Sequence, residues 1–344
     1  MPEKNELVLG IDLGGTKILT AAIDVKGVLR SRQYIATPAA EGADAVIAAI
    51  VESTQKAVQQ AGIKVSDLFA VGLGAPGLID SSKGLVHTSP NLPGWKDVPL
   101  RDQIEQALGK PVHMINDAHA AAVGELHFGA GRGCLHVIYI TVSTGIGGGL
   151  ILDGDIYEGS GGLGGEIGHM VIDDDGPLCN CGNRGCWEML ASGKALEREA
   201  RRRIESGANT SILSFCHPER SEGPQSLPLE CITAKAIHTA AQAGDALALE
   251  LINRNAYYLG VGLANIINIF NPERIVIGGG LSNLGDMLLK PAIEEAGRRA
   301  FKQPFEAAKF VTAELGGDSG VIGAAAHARK HFVGATDQFP VHLP

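Results

Sequence analysis

Leu7-Val8-Leu9-Gly10-Ile11-Asp12-Leu13-Gly14-Gly15-Thr16-Lys17 reads as a buried strand running into a glycine turn, and the chain repeats that design most of a domain later. The repeat is Val137-Ile138-Tyr139-Ile140-Thr141-Val142-Ser143-Thr144-Gly145-Ile146-Gly147-Gly148-Gly149. Each stretch predicts a strand, a tight turn that only glycine tolerates, and a second strand folding back beside the first. Such a turn bares backbone N–H groups and lets an anion come close, because no Cβ stands in the way. Two such turns facing each other would grip a polyphosphate from both sides. Neither matches the single-loop G-x-x-x-x-G-K-[ST] signature. One Asp-x-Gly turn taken singly is ordinary hairpin chemistry, and it is the repetition that favours phosphate over plain hairpins.

Between and beyond the two turns the pattern is α/β. Residues 7–37 read as a strand meander, and 43–60 have helical spacing with Gly62 as the stop. Residues 68–73 form an apolar strand ending at Gly74-Ala75-Pro76-Gly77, a forced turn where open α/β sheets place their ligands. After the loop Asn91-Leu92-Pro93-Gly94-Trp95 come a helix and a strand over 112–115, with Asp117 as N-cap of a helix over 118–128. The second turn opens a new unit at about residue 134. There helices alternate with one clear buried strand, 274–277, whose Gly278-Gly279-Gly280 tail is a third close-approach turn. The alanine-rich final helix, 320–330, is expected to pack back on the first half. The repeated openings predict a duplicated α/β fold. Residues 1–117 with the C-terminal helix (about 319–332) form a small domain, and 118–318 a large one, with a cleft between them. Residues 214–225 have no apolar period and two prolines, so an inserted, solvated loop is expected within about 207–230. Cys216 and His217 there lack further residues at ligand spacing.

The 344 residues are 45% hydrophobic with mean hydropathy +0.10, enough for a large core and two domains. Against 38 acidic residues stand 29 basic ones, giving a net charge of −9 and a pI near 5.7; with no Lys/Arg run, a nucleic-acid partner is excluded. The polar start Met1-Pro2-Glu3-Lys4-Asn5-Glu6 predicts neither a signal peptide nor an appended DNA-binding helix pair. No apolar run reaches a membrane span, the nearest, 257–270, being interrupted by Asn265 and Asn268. The expected location is the cytoplasm. Of six cysteines, Cys134, Cys216 and Cys231 are scattered, while Cys179, Cys181 and Cys186 fall within eight residues. In a reducing compartment such a cluster reads as a metal site rather than a disulfide framework.

That cluster follows Glu166-Ile167-Gly168-His169 and reads Cys179-Asn180-Cys181-Gly182-Asn183-Arg184-Gly185-Cys186-Trp187-Glu188. Three thiolates and one imidazole complete a tetrahedral zinc shell, and Gly182 and Gly185 let the chain curl back on the metal. A closed shell leaves no water position, so the zinc would be structural; buried, unliganded thiols are the alternative. A metal-bound imidazole keeps its second ring nitrogen free and oriented. The zinc would thereby fix Glu166, Glu188 and one imidazole donor around a small space suited to a polyhydroxylated ligand. Taken singly, each glutamate would read as a surface charge.

Together, Asp12-x-Gly14-Gly15-Thr16-Lys17, Gly74-Ala75-Pro76-Gly77, Asn116-Asp117, Glu166-x-x-His169 and Cys179-x-Cys181-Gly182-x-x-Gly185-Cys186-x-Glu188 resemble the ROK family of sugar kinases and sugar-responsive repressors. The resemblance runs from about residue 7 to 330, and Ser89-Pro90-Asn91-Leu92-Pro93-Gly94-Trp95 with residues 185–193 is most similar to its bacterial ATP-dependent glucokinases. It implies an actin-like ATPase fold of two ribonuclease-H-like domains with an interdomain cleft. It also implies ATP-dependent phosphorylation of a hexose at the 6-hydroxyl, most simply glucose. In that picture Asp117 is the catalytic base, and Asn91, Asn116, Asp117, Glu166, His169 and Glu188 hold the sugar. Asp12 binds Mg²⁺ directly or through water. Gly14, Gly15, Thr16 and Lys17 meet the phosphates from one side, Thr144 and Gly145 from the other, and Gly278, Gly279 and Gly280 border the adenosine. A structural Zn²⁺ sits on His169, Cys179, Cys181 and Cys186. The implied partners are a small sugar and a second copy of the chain as a homodimer, with no nucleic acid and no membrane. N-acetylglucosamine, N-acetylmannosamine or fructose stay open as acceptors. A non-catalytic sugar sensor is the competing class, against which stand Asp12-x-Gly14-Gly15-Thr16 and Asp117.

Overall fold

The computed structural model describes residues 7–216 and 228–333. The middle of the expected inserted loop, His217 included, lies outside the described residues. Its flanks are short helical turns, Ile212–Phe215 and Pro228–Cys231, and Ile212 is buried in the core rather than solvated.

The first half is built from β1 (Val8–Leu13), β2 (Lys17–Ile23), β3 (Gln33–Ala36), α1 (Ala43–Gln60), β4 (Ala70–Ala75), a small hairpin of β5 (Leu78–Asp80) and β6 (Leu85–Thr88), α2 (Leu100–Leu108), β7 (Val112–Asn116) and α3 (Asp117–Phe128). Next come β8 (Val137–Val142), β9 (Ile146–Leu152), β10 (Asp155–Ile156), α4 (Trp187–Ala191), α5 (Gly193–Glu205), α6 (Ala234–Gln242) and α7 (Ala246–Phe270). The chain ends with β11 (Arg274–Gly278), α8 (Asp286–Arg299), α9 (Lys302–Ala307), β12 (Lys309–Thr312) and α10 (Ser319–Val333).

The two large sheets follow one plan. Their strand orders are β3-β2-β1-β4-β7 and β10-β9-β8-β11-β12. In each, three antiparallel strands lead into two parallel ones, so β1 corresponds to β8 and β4 to β11. This is the duplicated arrangement that the paired glycine turns predict. The hairpin β5–β6 and the edge strands β10 and β12 carry too few alternating apolar residues to be read from sequence. β12, for instance, is Lys-Phe-Val-Thr with no fully buried residue.

Helices fill the space between the sheets. One face of the first sheet packs Leu9 and Ile11 against Val46 and Ile50 of α1. Its other face packs Val8, Ala21 and Ala70 against Val321, Ile322 and Ala325 of α10. α3 lays Ala121, Ala122 and Leu126 on Val137, Tyr139 and Ile151 of the second sheet. α3 and α10 then meet through Ala120, Val123 and Ala324, giving the layer order sheet, α10, α3, sheet. At the crossing the backbones touch: a Cβ on Gly323 would lie 1.6 Å from the Ala120 carbonyl oxygen. Glu125 of α3, fully buried, fastens the crossing. Its carboxylate accepts from Ala130 N at 2.8 Å, Glu314 N at 3.0 Å, Leu315 N at 2.9 Å and Ser319 Oγ at 2.8 Å. Among the described residues no helix is long and apolar enough to cross a membrane.

Gly323→Ala is therefore expected to destabilise the protein by about 2–3 kcal/mol, because the helices must part to admit the methyl group. Gly317→Ala, where an added Cβ meets nothing within 4 Å, serves as the matched control. Thermal denaturation separates them, and equal melting temperatures would contradict the packing described.

Candidate active site

The first turn joins β1 to β2, with Gly14 donating its N–H to Lys17 O at 2.8 Å. That amide is committed to the hairpin. Neither Gly14 nor Gly15 has a positive φ, so backbone conformation is not what demands glycine here. Close approach is: a Cβ on Gly15 would lie 2.6 Å from Cβ and 2.7 Å from the carbonyl oxygen of Asn91. The Asn91 loop is thus pressed onto the first turn.

The second turn joins β8 to β9 and is held by Ser143 N donating to Gly145 O at 2.9 Å. Glu188, the second residue of α4, reaches it and accepts from Ile146 N at 3.1 Å. A Cβ on Gly145 would fall 2.0 Å from Glu188 Oε2, so glycine makes room for the carboxylate. Gly279, at φ +87°, curls against Val142, and a Cβ on Gly280 would lie 3.7 Å from Ser143 Oγ. The third glycine turn accordingly borders the second. Thr144 is exposed beside it, its carbonyl accepting from Lys194 N at 3.3 Å.

Asp117 is the first residue of α3, and the cap is its neighbour. Asn116 Oδ1 accepts from Ala118 N at 2.9 Å and His119 N at 3.2 Å. The sequence reading placed the cap one residue late, because aspartate and asparagine cap equally well and the pair offers both. Asn116 Nδ2 also donates to Gly77 O at 3.5 Å, tying the Gly74–Gly77 turn to this helix end.

Five carboxylates, Asp12, Asp117, Glu166, Glu188 and Asp318, act on one another here through their charges. Asp12 is partly buried at the end of β1; burial raises its carboxyl to about 6, with Lys17 opposing and Asp318 adding. Asp117 is pushed up to about 7, first by burial, then by the charge of Asp12, against which the Ala118 N–H pulls down, with Glu166 adding. Glu166 stands at the rim, its side chain 47% exposed. Crowding by the protein nonetheless holds its carboxyl above the ordinary range, with His169 opposing and Glu188 adding. Asp318 could not be anticipated from sequence. It lies 306 residues from Asp12 and reaches the site only because α10 begins there, fixed by an Arg32 ion pair of 3.0 Å.

His169, Cys179, Cys181 and Cys186 converge so that one ligand atom from each lies within 4.8 Å of all the others. Cys179 Sγ is 3.6 Å from His169 Nδ1, and Cys181 Sγ is 3.5 Å from Cys186 Sγ. The loop doubles back through Cys179 N donating to Asn183 O at 2.7 Å, with Gly182 and Gly185 at φ +95° and +63°. His169 thus turns Nδ1 to the thiols and Nε2 outward, 4.0 Å from Glu166 Oε2. Trp187 has no role legible from sequence. It is fully buried, donates Nε1 to Tyr258 O at 3.0 Å, and pins the loop to α7, where a Cβ on Gly262 would strike its ring.

A family profile described as ROK family matches residues 8–331. A glucokinase of Halalkalibacterium halodurans is 39% identical over 92% of each chain. The crystal structure of a ROK family glucokinase from Streptomyces griseus in complex with glucose and AMPPNP superposes with a TM-score of 0.79 at 37% identity, covering 94% of this chain and 99% of that one. A xylose repressor of Caldicellulosiruptor bescii is 31% identical over 93% of this chain and 77% of its own length. With two sheets of one topology and a profile match over nearly its whole length, the chain has the actin-like sugar-kinase fold and belongs to the ROK family.

Proposed function

We propose that this protein transfers the γ-phosphoryl group of ATP to the 6-hydroxyl of a hexose, with glucose the preferred acceptor. The observation that carries the reading is Asp117, the first residue of α3, a carboxyl pushed up to about 7 by burial and by the charges of Asp12 and Glu166. A base of that strength is matched to accepting a hydroxyl proton near neutral pH. The relatives named as glucokinases, and the neighbour bound to glucose and AMPPNP, support acceptor and donor.

Each residue has a task in this proposal. Asn91, Asn116, Glu166, His169 and Glu188 orient the sugar so that its 6-hydroxyl meets Asp117. Gly14, Gly15, Thr16 and Lys17 hold the phosphates on one side and Thr144 and Gly145 on the other, with Gly278, Gly279 and Gly280 along the adenosine. Asp12 suits Mg²⁺, since a carboxylate crowded by Asp117 and Asp318 gains from a cation. When bound, that ion neutralises charge on the phosphate oxygens. His169, Cys179, Cys181 and Cys186 suit a structural Zn²⁺: contacts of 3.5–3.6 Å match the edge of about 3.8 Å that zinc–sulfur bonds impose on a tetrahedron. The thiols must stay reduced for this, which fits a cytoplasmic setting. The proposed domain division, 1–117 with 319–332 against 118–318, puts Asp12 and the first turn in one body and Glu188 with the second turn in the other. Closure on the sugar would exclude water.

ADP release with Mg-ATP across glucose, mannose, N-acetylglucosamine, N-acetylmannosamine and fructose tests the function. A preference for glucose supports it. Sugar binding without turnover on any of them would favour the sensor class to which the repressor relative belongs.

Asp117→Asn is expected to retain glucose binding and to lose turnover by about three orders of magnitude or more. The same variant has a stability signature. A carboxyl at about 7 in the native state and about 3.9 unfolded holds a proton in the fold that the unfolded chain has released. Its stabilising effect is therefore lost as pH rises through that window. Asp117→Asn should melt above the parent at about pH 8, with the gap narrowing towards about pH 5. Substantial activity, or a lower melting temperature at the higher pH, would refute the role assigned. Cys181→Ser should lose about one zinc per chain by elemental analysis and raise the KM for glucose more than that for ATP. Full activity in a zinc-free variant would refute the coupling of metal to sugar.

A further inference from the structure

Residues 157–165 carry the chain from β10 to Glu166, and five of them are glycine, so the segment must be fixed by contacts from other elements. Ser81 Oγ, just beyond β5, donates to Glu158 Oε1 at 3.3 Å. A second anchor is His119, in the first turn of α3 and 2% exposed. Its Nε2 donates to Gly164 O at 2.9 Å. A carbonyl oxygen only accepts, so the ring proton sits on Nε2. Nδ1 is then bare, and it is buried with no hydrogen-bond partner among the described residues. Burial holds the imidazole below its ordinary range, against the pull of the Gly164 bond. The ring is therefore neutral at pH 7 and offers the segment one donated hydrogen bond.

That bond lies at a tightly seated corner. Gly165, at φ +87°, passes so close to the ring that a Cβ there would lie 2.7 Å from His119 Nε2. From β9, a Cβ on Gly148 would lie 3.0 Å from Gly165 O and 2.5 Å from Ile167 Cδ1. Ile167 N donates to Gly165 O at 2.7 Å and His169 N to Glu166 O at 3.0 Å, so whatever fixes Gly164 and Gly165 fixes where Glu166 begins. The other end of the link is equally defined. His119 follows Asp117 by two residues, and its own N–H donates to the Asn116 cap at 3.2 Å. We infer that His119 is a positioning residue: by holding Gly164 O it sets where Glu166 stands relative to Asp117, and so shapes the sugar end of the site without touching the reacting atoms. The inference rests on the phosphotransfer reading and adds to it a residue through which Glu166 is placed.

Steady-state kinetics of the full chain with glucose and Mg-ATP test it. His119→Leu keeps an apolar side chain in the pocket and removes the donor, whereas His119→Gln carries an amide N–H at the reach of Nε2. His119→Leu should raise the KM for glucose about tenfold and leave the KM for ATP within about twofold of the parent's. His119→Gln should recover most of the loss. In a Glu166→Gln background, adding His119→Leu should change the glucose KM by less than about twofold, because the group through which His119 acts is already gone. Hydrogen exchange at the Ile167 and His169 amides should quicken in the leucine variant and not in the glutamine variant. If the leucine variant does not fold, His119→Asn, whose shorter amide does not reach Gly164 O, takes its place with the same expectations. An equal rise in both KM values, no rise, no recovery with glutamine, or full additivity with Glu166→Gln would overturn the inference. Where the parent phosphorylates glucose and the His119 variants match it, the inference falls and the phosphotransfer reading stands. A parent that binds glucose without turnover defeats that reading instead, and the same comparison is then decided on the glucose Kd by calorimetry.

Discussion

Two helices that touch backbone to backbone hold the cleft together. α3 starts at Asp117 and α10 starts beside Asp12, where a Cβ on Gly320 would come 2.9 Å from the carboxylate carbon. Whatever angle α3 and α10 adopt therefore sets the distance between these two aspartates. Glu125 fixes that angle with a fully buried carboxylate that draws four donors from three segments, among them Ser319, the first residue of α10, and Glu314 and Leu315 just upstream of it. A buried carboxyl group is tolerated only when its oxygens are hydrogen-bonded in this way. The result is a rigid pivot at the base of two separately packed cores, one around Leu9 and Ile50, the other around Ile140 and Leu263.

From that pivot the site is assembled by shared neighbours. Glu188 belongs at once to the cysteine loop through Trp187 and to the second glycine turn through Ile146 N. Asn91 lies against Gly15 of the first turn. The groups suited to a polyol and those suited to phosphate are consequently not two sites side by side. They are one surface, because Glu188 beside the cysteine loop holds the second glycine turn through Ile146 N. Burial then makes Asp12 and Asp117 weak acids, at about 6 and 7. The fold accepts lower stability at neutral pH in exchange for a carboxyl whose affinity for a proton matches the task proposed for it.

Much of this was legible in the chain because the informative residues come in short runs. The two glycine turns revealed the duplicated sheets, and Cys179, Cys181 and Cys186 with His169 revealed the cluster. What escaped depends on distance along the chain or on neighbours that no local pattern encodes. Asp318 and Glu125 act through partners up to 306 and 194 residues away. The reason for glycine at Gly15 and Gly145 is a side chain from another element, whereas sequence suggested a special φ. The local choice of cap between Asn116 and Asp117 is chemically even, and the strand register of β7 decides it for Asn116.

The central claim is that Asp117 faces one particular hydroxyl of a bound hexose. Phosphorus–proton correlation NMR of the product formed from glucose and Mg-ATP tests it most directly. Coupling of the new phosphorus to the two protons on C6 is the expected result. A phosphate on the anomeric oxygen or on any ring hydroxyl would mean that the sugar lies differently in the cleft and that Asp117 is not its base.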